Sequence, residues 1–159
     1  MEKELKALKK FLDDSKVHYE IGEHGHIRTA EQASVVRGVP LSQGVKSLIF
    51  KIHKQDYDDM VLILVRGDKR ADNEKLVILL GAKNVQLASH EEVFQKTNCE
   101  VGSVHPFGNL HGLQVYMDKT ILENEKVSFS AGTHNHSISM KTADFVKLIK
   151  PKIEDIAKA

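Results

Sequence analysis

A lysine stands near the start of the most apolar stretch of the chain. Residues 45–52 are rich in β-branched and aromatic side chains and predict a strand, in which Lys46 shares a face with Leu48, Phe50 and Ile52. A lysine at the end of such a strand can project into a pocket, where its ammonium group binds a phosphate or polarises an ester carbonyl. The same spacing also fits a lysine that reaches water at the strand terminus.

A glycine-punctuated segment, residues 99–112, carries no helical or strand pattern. Gly102 and Gly108 permit backbone conformations that are closed to other residues, and Pro106 stiffens the turn between them. Such a loop can present several N–H groups to a carbonyl or phosphate oxygen. A plain surface connection is the alternative, although loops of this length are often functional.

Two pairs of histidines occupy alternate positions. His134 and His136 follow Gly132, and His24 and His26 lie in a second glycine-containing loop. Neither pair comes with a clear third ligand, so the spacing does not predict zinc. The chain also lacks the nucleophile-elbow, phosphate-loop, His-Glu-x-x-His and dinucleotide-binding motifs. We therefore expect no metal and no cofactor.

The composition is that of an ordinary folded protein with almost balanced charge. Its 159 residues include 23 Lys and Arg against 22 Asp and Glu, a formal charge of +1. Proteins that make many phosphate contacts usually carry a larger basic excess, so any contact with nucleic acid should be local. The chain has one cysteine, no signal-peptide core and no apolar run of bilayer length. These features predict a cytoplasmic protein that does not enter a membrane.

Periodicity and capping signals predict the elements that position these residues. The order mixes helices and strands without regular βαβ alternation, which predicts one α+β domain over residues 1–159 and not a doubly wound fold. Helices are predicted over residues 3–13, from Thr29 to Gly38, from Asp72 to Gly81, from Ser89 to Lys96 and from Thr142 to Pro151. Strands are predicted at residues 17–21, 45–52, 60–65, 85–87, 115–117, 127–129 and 138–140. One more helical turn is predicted at residues 153–157.

An ordered set of segments resembles the YbaK/EbsC-like family of freestanding aminoacyl-tRNA editing proteins, which includes the editing insertion of bacterial prolyl-tRNA synthetases. The resemblance extends from about residue 3 to residue 150. No single segment is decisive, but their order is specific. The segments are Gly-Val-Lys-Ser-Leu at 44–48, Arg-Gly-Asp-Lys-Arg-Ala-Asp-Asn-Glu-Lys-Leu at 66–76, Leu-Gly-Ala at 80–82, Leu-Ala-Ser at 87–89, Val-Gly-Ser-Val-His-Pro-Phe-Gly at 101–108, Val-Tyr-Met-Asp at 115–118 and Ser-Ala-Gly at 130–132.

The resemblance implies a mixed, mostly antiparallel sheet that curls against several helices. It also implies hydrolysis of the ester that joins a wrong amino acid to the 3′ end of tRNA. Lys46 matches a near-invariant lysine, and Gly102 begins the family's Gly-x-x-x-Pro loop; these two are the implied catalytic positions. The implied substrate-binding positions are Ser47, Ser103, Val104, His105, Pro106, Phe107, Gly132 and His134.

The expected partner is the acceptor end of a mischarged tRNA, with an aminoacyl-tRNA synthetase as a second candidate and no DNA. Lys69 and Arg70 lie in one basic turn with Arg66, which predicts either a contact with the tRNA backbone or a solvated turn. Alanine or cysteine on a proline tRNA is the first guess for the substrate, and serine or threonine remains open. The rival hypothesis is a non-catalytic module that binds tRNA or a synthetase.

Overall fold

Five α-helices and ten β-strands follow one another along the computed structural model, which describes residues 2–159. Three short 3₁₀ helices connect them, at Leu41–Gln43, Gly108–Leu110 and Lys119–Glu123. The helices are α1 Glu2–Asp14, α2 Ala30–Arg37, α3 Asn73–Leu80, α4 His90–Thr97 and α5 Thr142–Ile149. The strands are β1 Tyr19–Glu23, β2 Val45–His53, β3 Asp58–Arg66, β4 Arg70–Ala71, β5 Asn84–Leu87, β6 Gln114–Asp118, β7 Lys126–Ser130, β8 His136–Lys141, β9 Lys152–Glu154 and β10 Ala157–Lys158.

The strands form three sheets. A five-stranded sheet has the order β5-β2-β3-β6-β9, a three-stranded sheet has the order β1-β8-β7, and β10 pairs with β4. The pairs β3–β6 and β6–β9 are parallel, and all other strand pairs are antiparallel. A single bridge between Gly44 and Ser128 joins the two larger sheets. The predicted α+β class, with a mixed and mostly antiparallel sheet, is confirmed.

The five-stranded sheet is covered on both faces, because β3 is apolar from Met60 to Val65 and β2 carries apolar side chains on both of its faces. Val45, Ile49, Leu62 and Leu64 face a large core that also contains α1, α5 and the three-stranded sheet. Phe50 and its neighbours on the opposite face pack on α3 and the C-terminal strand. Leu48 packs against this second core, which confirms the predicted alternation along β2.

The helix ends lie where side-chain capping predicts them. Asp72 accepts hydrogen bonds from the first turn of α3, and Ser89 forms a complete capping box with Glu92 at α4. Gly38 and Gly81 end α2 and α3 in the left-handed conformation. These signals act over three or four residues, which is why the sequence shows them directly.

Two predictions near the C terminus are wrong. Residues 152–158 contain β9 and β10 instead of a helical turn. β9 pairs with β6, and β10 pairs with β4. Between them, the Asp118 carboxylate accepts hydrogen bonds from the N–H groups of Ile156 and Ala157. Thr142 is not an N-cap; its hydroxyl donates to the Asn124 carbonyl 2.6 Å away. In both cases the partner lies more than fifteen residues away in sequence.

Candidate active site

A cavity of about 440 Å³ lies beside the first half of β2. Its other walls are α2 with the loop that precedes it, the β5–α4 connection, the loop around Gly102, and Ser130 at the end of β7. Lys46 and Gly102, the two positions predicted to be catalytic, are 56 residues apart in sequence and line the same cavity. This volume is within the range of small-molecule binding sites.

The cavity exists because β2 lacks a neighbouring strand along part of one edge. β7 reaches this edge only at Gly44, and β5 pairs only from Phe50 to His53. The Ile49 carbonyl accepts from the Ala88 N–H on this side, and strand hydrogen bonds alternate, so the N–H and C=O of Ser47 also point towards the open edge. The gap therefore presents both backbone and side-chain groups of β2 to a ligand.

Lys46 is half-buried at this edge and makes no ion pair with any residue from 2 to 159. Burial lowers the pKa of the Lys46 ammonium, the charges of Glu31 and Asp68 oppose that shift, and Arg70 adds to it. These three neighbours lie on exposed segments. Lys46 therefore lines the cavity as a cation that no described carboxylate pairs with.

Ser47 lies next along β2, on the opposite face of the strand from Lys46. Its hydroxyl oxygen is buried and has no hydrogen-bond partner within the described chain, although the residue lines the cavity. A buried hydroxyl without a partner costs about 1–3 kcal/mol. A ligand in the cavity that bonds to this hydroxyl would remove that cost.

The loop after Cys99 turns its backbone, and few of its side chains, towards the cavity. Gly102 has a φ of 89°, a conformation that favours glycine, and its carbonyl accepts from the Ser130 hydroxyl at 3.2 Å. Val101 and Val104 line the cavity beside it. The loop and Lys46 therefore line the same cavity.

Four predicted substrate-binding residues of this loop lie outside the cavity wall. The Ser103 hydroxyl donates to the Glu100 carbonyl at 2.8 Å, and Phe107 packs against Phe129 in the core. His105 is buried, and its ring stacks on His111 with centroids 4.1 Å apart. Pro106 is also buried and away from the cavity. These residues hold the loop in place from behind.

Gly132 and His134 also support the loop from outside the cavity. The Gly132 N–H donates to the Ser103 carbonyl at 3.0 Å, and His134 Nδ1 donates to the Ile27 carbonyl at 2.9 Å. A methyl group on Gly102 would lie 3.5 Å from Cε1 of His134. The His134 ring therefore lies beside Gly102, and it packs against the His26 ring at a tilt of 30°.

The predicted basic turn adjoins the mouth of the cavity. Gly67 lines the cavity, and Lys69 and Arg70 follow it on the surface. Arg66 is less available to bind a phosphate group, because its guanidinium pairs with Asp68 at 2.7 Å and with Glu123 at 2.9 Å. Arg70 Nε donates to the carbonyl of Ala159.

Arg37 is a cavity residue that the sequence analysis did not select. It lies at the end of α2, and Ala30, Ala33 and Ser34 line the cavity with it at helical spacing. This spacing would identify Arg37 as a cavity residue once one face of α2 is known to form a cavity wall. Burial lowers the pKa of Arg37 to about 10, and no neighbouring charge opposes the shift.

Residues 2–159 contain no group of three or more His, Cys, Asp or Glu side chains arranged to hold a metal ion. No helix within these residues has the length and apolar character required to cross a bilayer.

A family model described as the aminoacyl-tRNA editing domain matches residues 24–148. The chain belongs to this family, the YbaK-like editing domains. The match includes the whole cavity, from Ile27 to Ser130. It confirms the predicted family and the predicted enzyme class, an aminoacyl-tRNA deacylase.

Three curated relatives and one solved structure are similar to this chain. The multifunctional Ser/Thr-tRNA deacylase ProXp-y of Escherichia coli (strain K12) is 29% identical over 136 residues, which are 85% of this chain and 81% of the relative. The uncharacterized protein YwhH of Bacillus subtilis (strain 168) is 36% identical over 112 residues, 70% of this chain and 69% of the relative. A proline–tRNA ligase of Bacillus cereus (strain AH187) is 34% identical over 94 residues, which are 59% of this chain but only 16% of the ligase. A crystal structure of a proposed trans-editing enzyme for prolyl-tRNA synthetase superposes with a TM-score of 0.85 at 26% identity, covering 98% of both chains.

Proposed function

We propose that this protein hydrolyses the ester bond between a wrongly attached small amino acid and the 3′ end of tRNA. The observation that carries the proposal is the single cavity lined by both Lys46 and the backbone of the Gly102 loop. Lys46 can bind the phosphate of the tRNA end or the ester carbonyl oxygen, and N–H groups of the loop can stabilise that oxygen as it becomes negatively charged. Membership of the editing family supplies the substrate class.

The nucleophile in this proposal is water. No carboxylate lines the cavity within the described residues, and His90 is the one imidazole that does. We therefore assign the positioning of the water to the substrate's own ribose hydroxyl or amino group. The protein contributes binding, charge stabilisation and exclusion of larger amino acids.

We infer that the preferred amino acid carries a hydroxyl group. The Ser47 hydroxyl is buried, has no hydrogen-bond partner among residues 2–159, and lines the cavity together with apolar residues such as Val45 and Val93. A site that expects a hydrogen bond discriminates strongly against an analogue that lacks it. The Escherichia coli relative is named for serine and threonine substrates, which favours these two over the alanine or cysteine that the sequence suggested first.

The acceptor stem would approach across the basic turn. Lys69 and Arg70 flank the mouth of the cavity, and the net charge of +1 leaves little further basic surface for nucleic acid. We therefore propose a few local phosphate contacts and no extended groove.

A panel of mischarged tRNAs tests the proposal. Purified protein at one hundredth of the substrate concentration should release serine or threonine from tRNA over many turnovers, and alanine or cysteine more slowly. Correctly charged prolyl-tRNA is the negative control. Tight binding of mischarged tRNA without release of any amino acid would instead favour the non-catalytic binding module.

A further inference from the structure

Arg37 brings a further cation into the cavity, whose lining also contains Lys46 and the exposed Arg28. Its Nε donates to the Ser137 hydroxyl at 2.7 Å, and its Nη2 lies 3.5 Å from the Ser130 hydroxyl. No described residue accepts a hydrogen bond from Nη1, and that nitrogen lies 3.9 Å from the position that a methyl group on Gly44 would occupy. The guanidinium therefore keeps free donors at the head of β2.

The charge of this guanidinium is not neutralised by any neighbour. A pKa of about 10 keeps Arg37 positive at neutral pH, and no carboxylate pairs with it. Buried cations are normally paired, because an isolated charge is costly to remove from water. The two hydroxyl groups that Arg37 contacts carry no charge and stabilise the guanidinium less than a carboxylate would. An anionic oxygen of a ligand in the cavity would supply the missing negative charge.

The hydroxyl contacts orient the guanidinium through a network with one consistent direction. His24 Nδ1 donates to the Gly25 carbonyl at 2.7 Å, which leaves Nε2 to accept from the Ser137 hydroxyl at 2.7 Å. Ser137 in turn accepts from Arg37 Nε. Ser130 accepts from Nη2 and donates to the Gly102 carbonyl. Arg37 is thus fixed between the start of β2 and the Gly102 loop, the two elements that flank the proposed scissile bond.

Lys46 and Arg37 have different surroundings. The pKa of Lys46 is affected by the charges of Glu31, Asp68 and Arg70, which lie on exposed segments. The pKa of Arg37, in contrast, is shifted by burial alone. In the proposed complex the terminal phosphate, which continues into the rest of the tRNA, would lie near the exposed charges around Lys46, and the ester would lie beside Arg37. This difference assigns the two cations to two different negative charges.

We propose that Arg37 donates a hydrogen bond to the ester carbonyl oxygen as that oxygen becomes negatively charged, while Lys46 binds the phosphate of the terminal nucleotide. The assignment rests on the proposed deacylation. Water adds to the carbonyl carbon, and the carbonyl π electrons move to oxygen. Collapse breaks the bond to the ribose oxygen, which takes one proton of the water; the other proton goes to solvent and the amino acid leaves as a carboxylate.

Kinetics on two substrates test this assignment. Arg37→Met should lower kcat about 10²–10³-fold on seryl-tRNA and equally on 3′-seryl-adenosine, because both contain the ester. Arg37→Lys should recover part of the loss, since it keeps the charge but not the planar fork. Lys126→Met removes an exposed charge elsewhere on β7 and should change neither rate. A loss confined to the tRNA substrate would overturn the assignment and make Arg37 a phosphate ligand.

Binding of two unreactive analogues gives a readout that needs no turnover. One is the amide 3′-seryl-amino-3′-deoxyadenosine, and the other is the corresponding aminophosphonate ester, whose tetrahedral anion resembles the reacting centre. Arg37→Met should weaken the phosphonate at least tenfold more than the amide. Equal weakening of both would show that Arg37 only holds α2 in place. If the wild-type protein deacylates no tRNA, the proposed function fails; if it is active and Arg37→Met retains kcat, only this assignment fails.

Discussion

The Ser130 hydroxyl donates a hydrogen bond to the Gly102 carbonyl across 3.2 Å, which connects the end of β7 to the loop that lines the cavity. The carbonyl of Gly102 is thereby directed towards β7 and is occupied. This carbonyl is therefore not free to accept a hydrogen bond from water or a ligand in the same direction. The contact explains how a loop without secondary structure keeps a defined shape beside Lys46.

Lys46→Ala should slow deacylation by about 10²-fold or more while leaving the fold intact, because the ammonium makes no ion pair that the fold needs. The measurement is single-turnover hydrolysis of mischarged tRNA, with circular dichroism and thermal unfolding to verify folding. Lys83→Ala, at an exposed position between α3 and β5, is the matched control. Wild-type turnover by a folded Lys46→Ala protein would exclude Lys46 from the reaction.

Gly102→Val should damage activity far more than Gly112→Val. Both glycines have positive φ, 89° and 69°, so a β-branched side chain strains either backbone by about 1–2 kcal/mol or more. Only Gly102 lines the cavity. The comparison uses kcat at matched denaturation midpoints, and equal rate losses would place the site elsewhere.

Replacing Lys69 and Arg70 together with alanine should weaken tRNA binding and reduce its salt dependence by ~1–2 phosphate contacts. Hydrolysis of a minimal aminoacyl-adenosine should be nearly unchanged, because that substrate has no acceptor-stem backbone. Filter binding at several salt concentrations gives the slope of the logarithm of the binding constant against the logarithm of the salt concentration. Equal losses on both substrates would mean that these residues support the cavity itself, and no change on either would require tRNA to approach from another face.

Glu92 should stabilise the fold at neutral pH, and this contribution should be lost in acid. Its carboxylate accepts from the Ser89 N–H in the capping box and pairs with Lys51 at 2.9 Å, and these contacts lower the pKa of Glu92 to about 2. A carboxylate whose pKa is lower in the folded state stabilises the fold above its ordinary pKa, and that contribution disappears as the pH falls from about 4.5 to about 2. Unfolding temperatures of wild type and Glu92→Gln should therefore differ at pH 7 and converge near pH 2. A constant difference across this range would contradict the assignment.

The sequence by itself determined the elements and several of their ends. Asp72, Ser89, Gly38 and Gly81 act on groups within four residues, and the apolar runs of β2 and β3 are buried on both faces wherever they pair. Lys46 and Gly102 were also found from the sequence, through strand alternation and the resemblance to the editing family. Their placement in one cavity followed from the fold.

Tertiary structure alone decided which side chains enter the cavity. The side chains of Ser103, His105 and Phe107 turn away from the substrate cavity into the protein, because buried partners such as the Glu100 carbonyl, His111 and Phe129 stabilise them there. Conversely, Arg37 is held at the cavity by hydrogen bonds to Ser130 on β7 and Ser137 on β8, about a hundred residues further along the chain. No local pattern records such contacts, since a hydrogen bond between distant segments depends on how the sheets and helices pack.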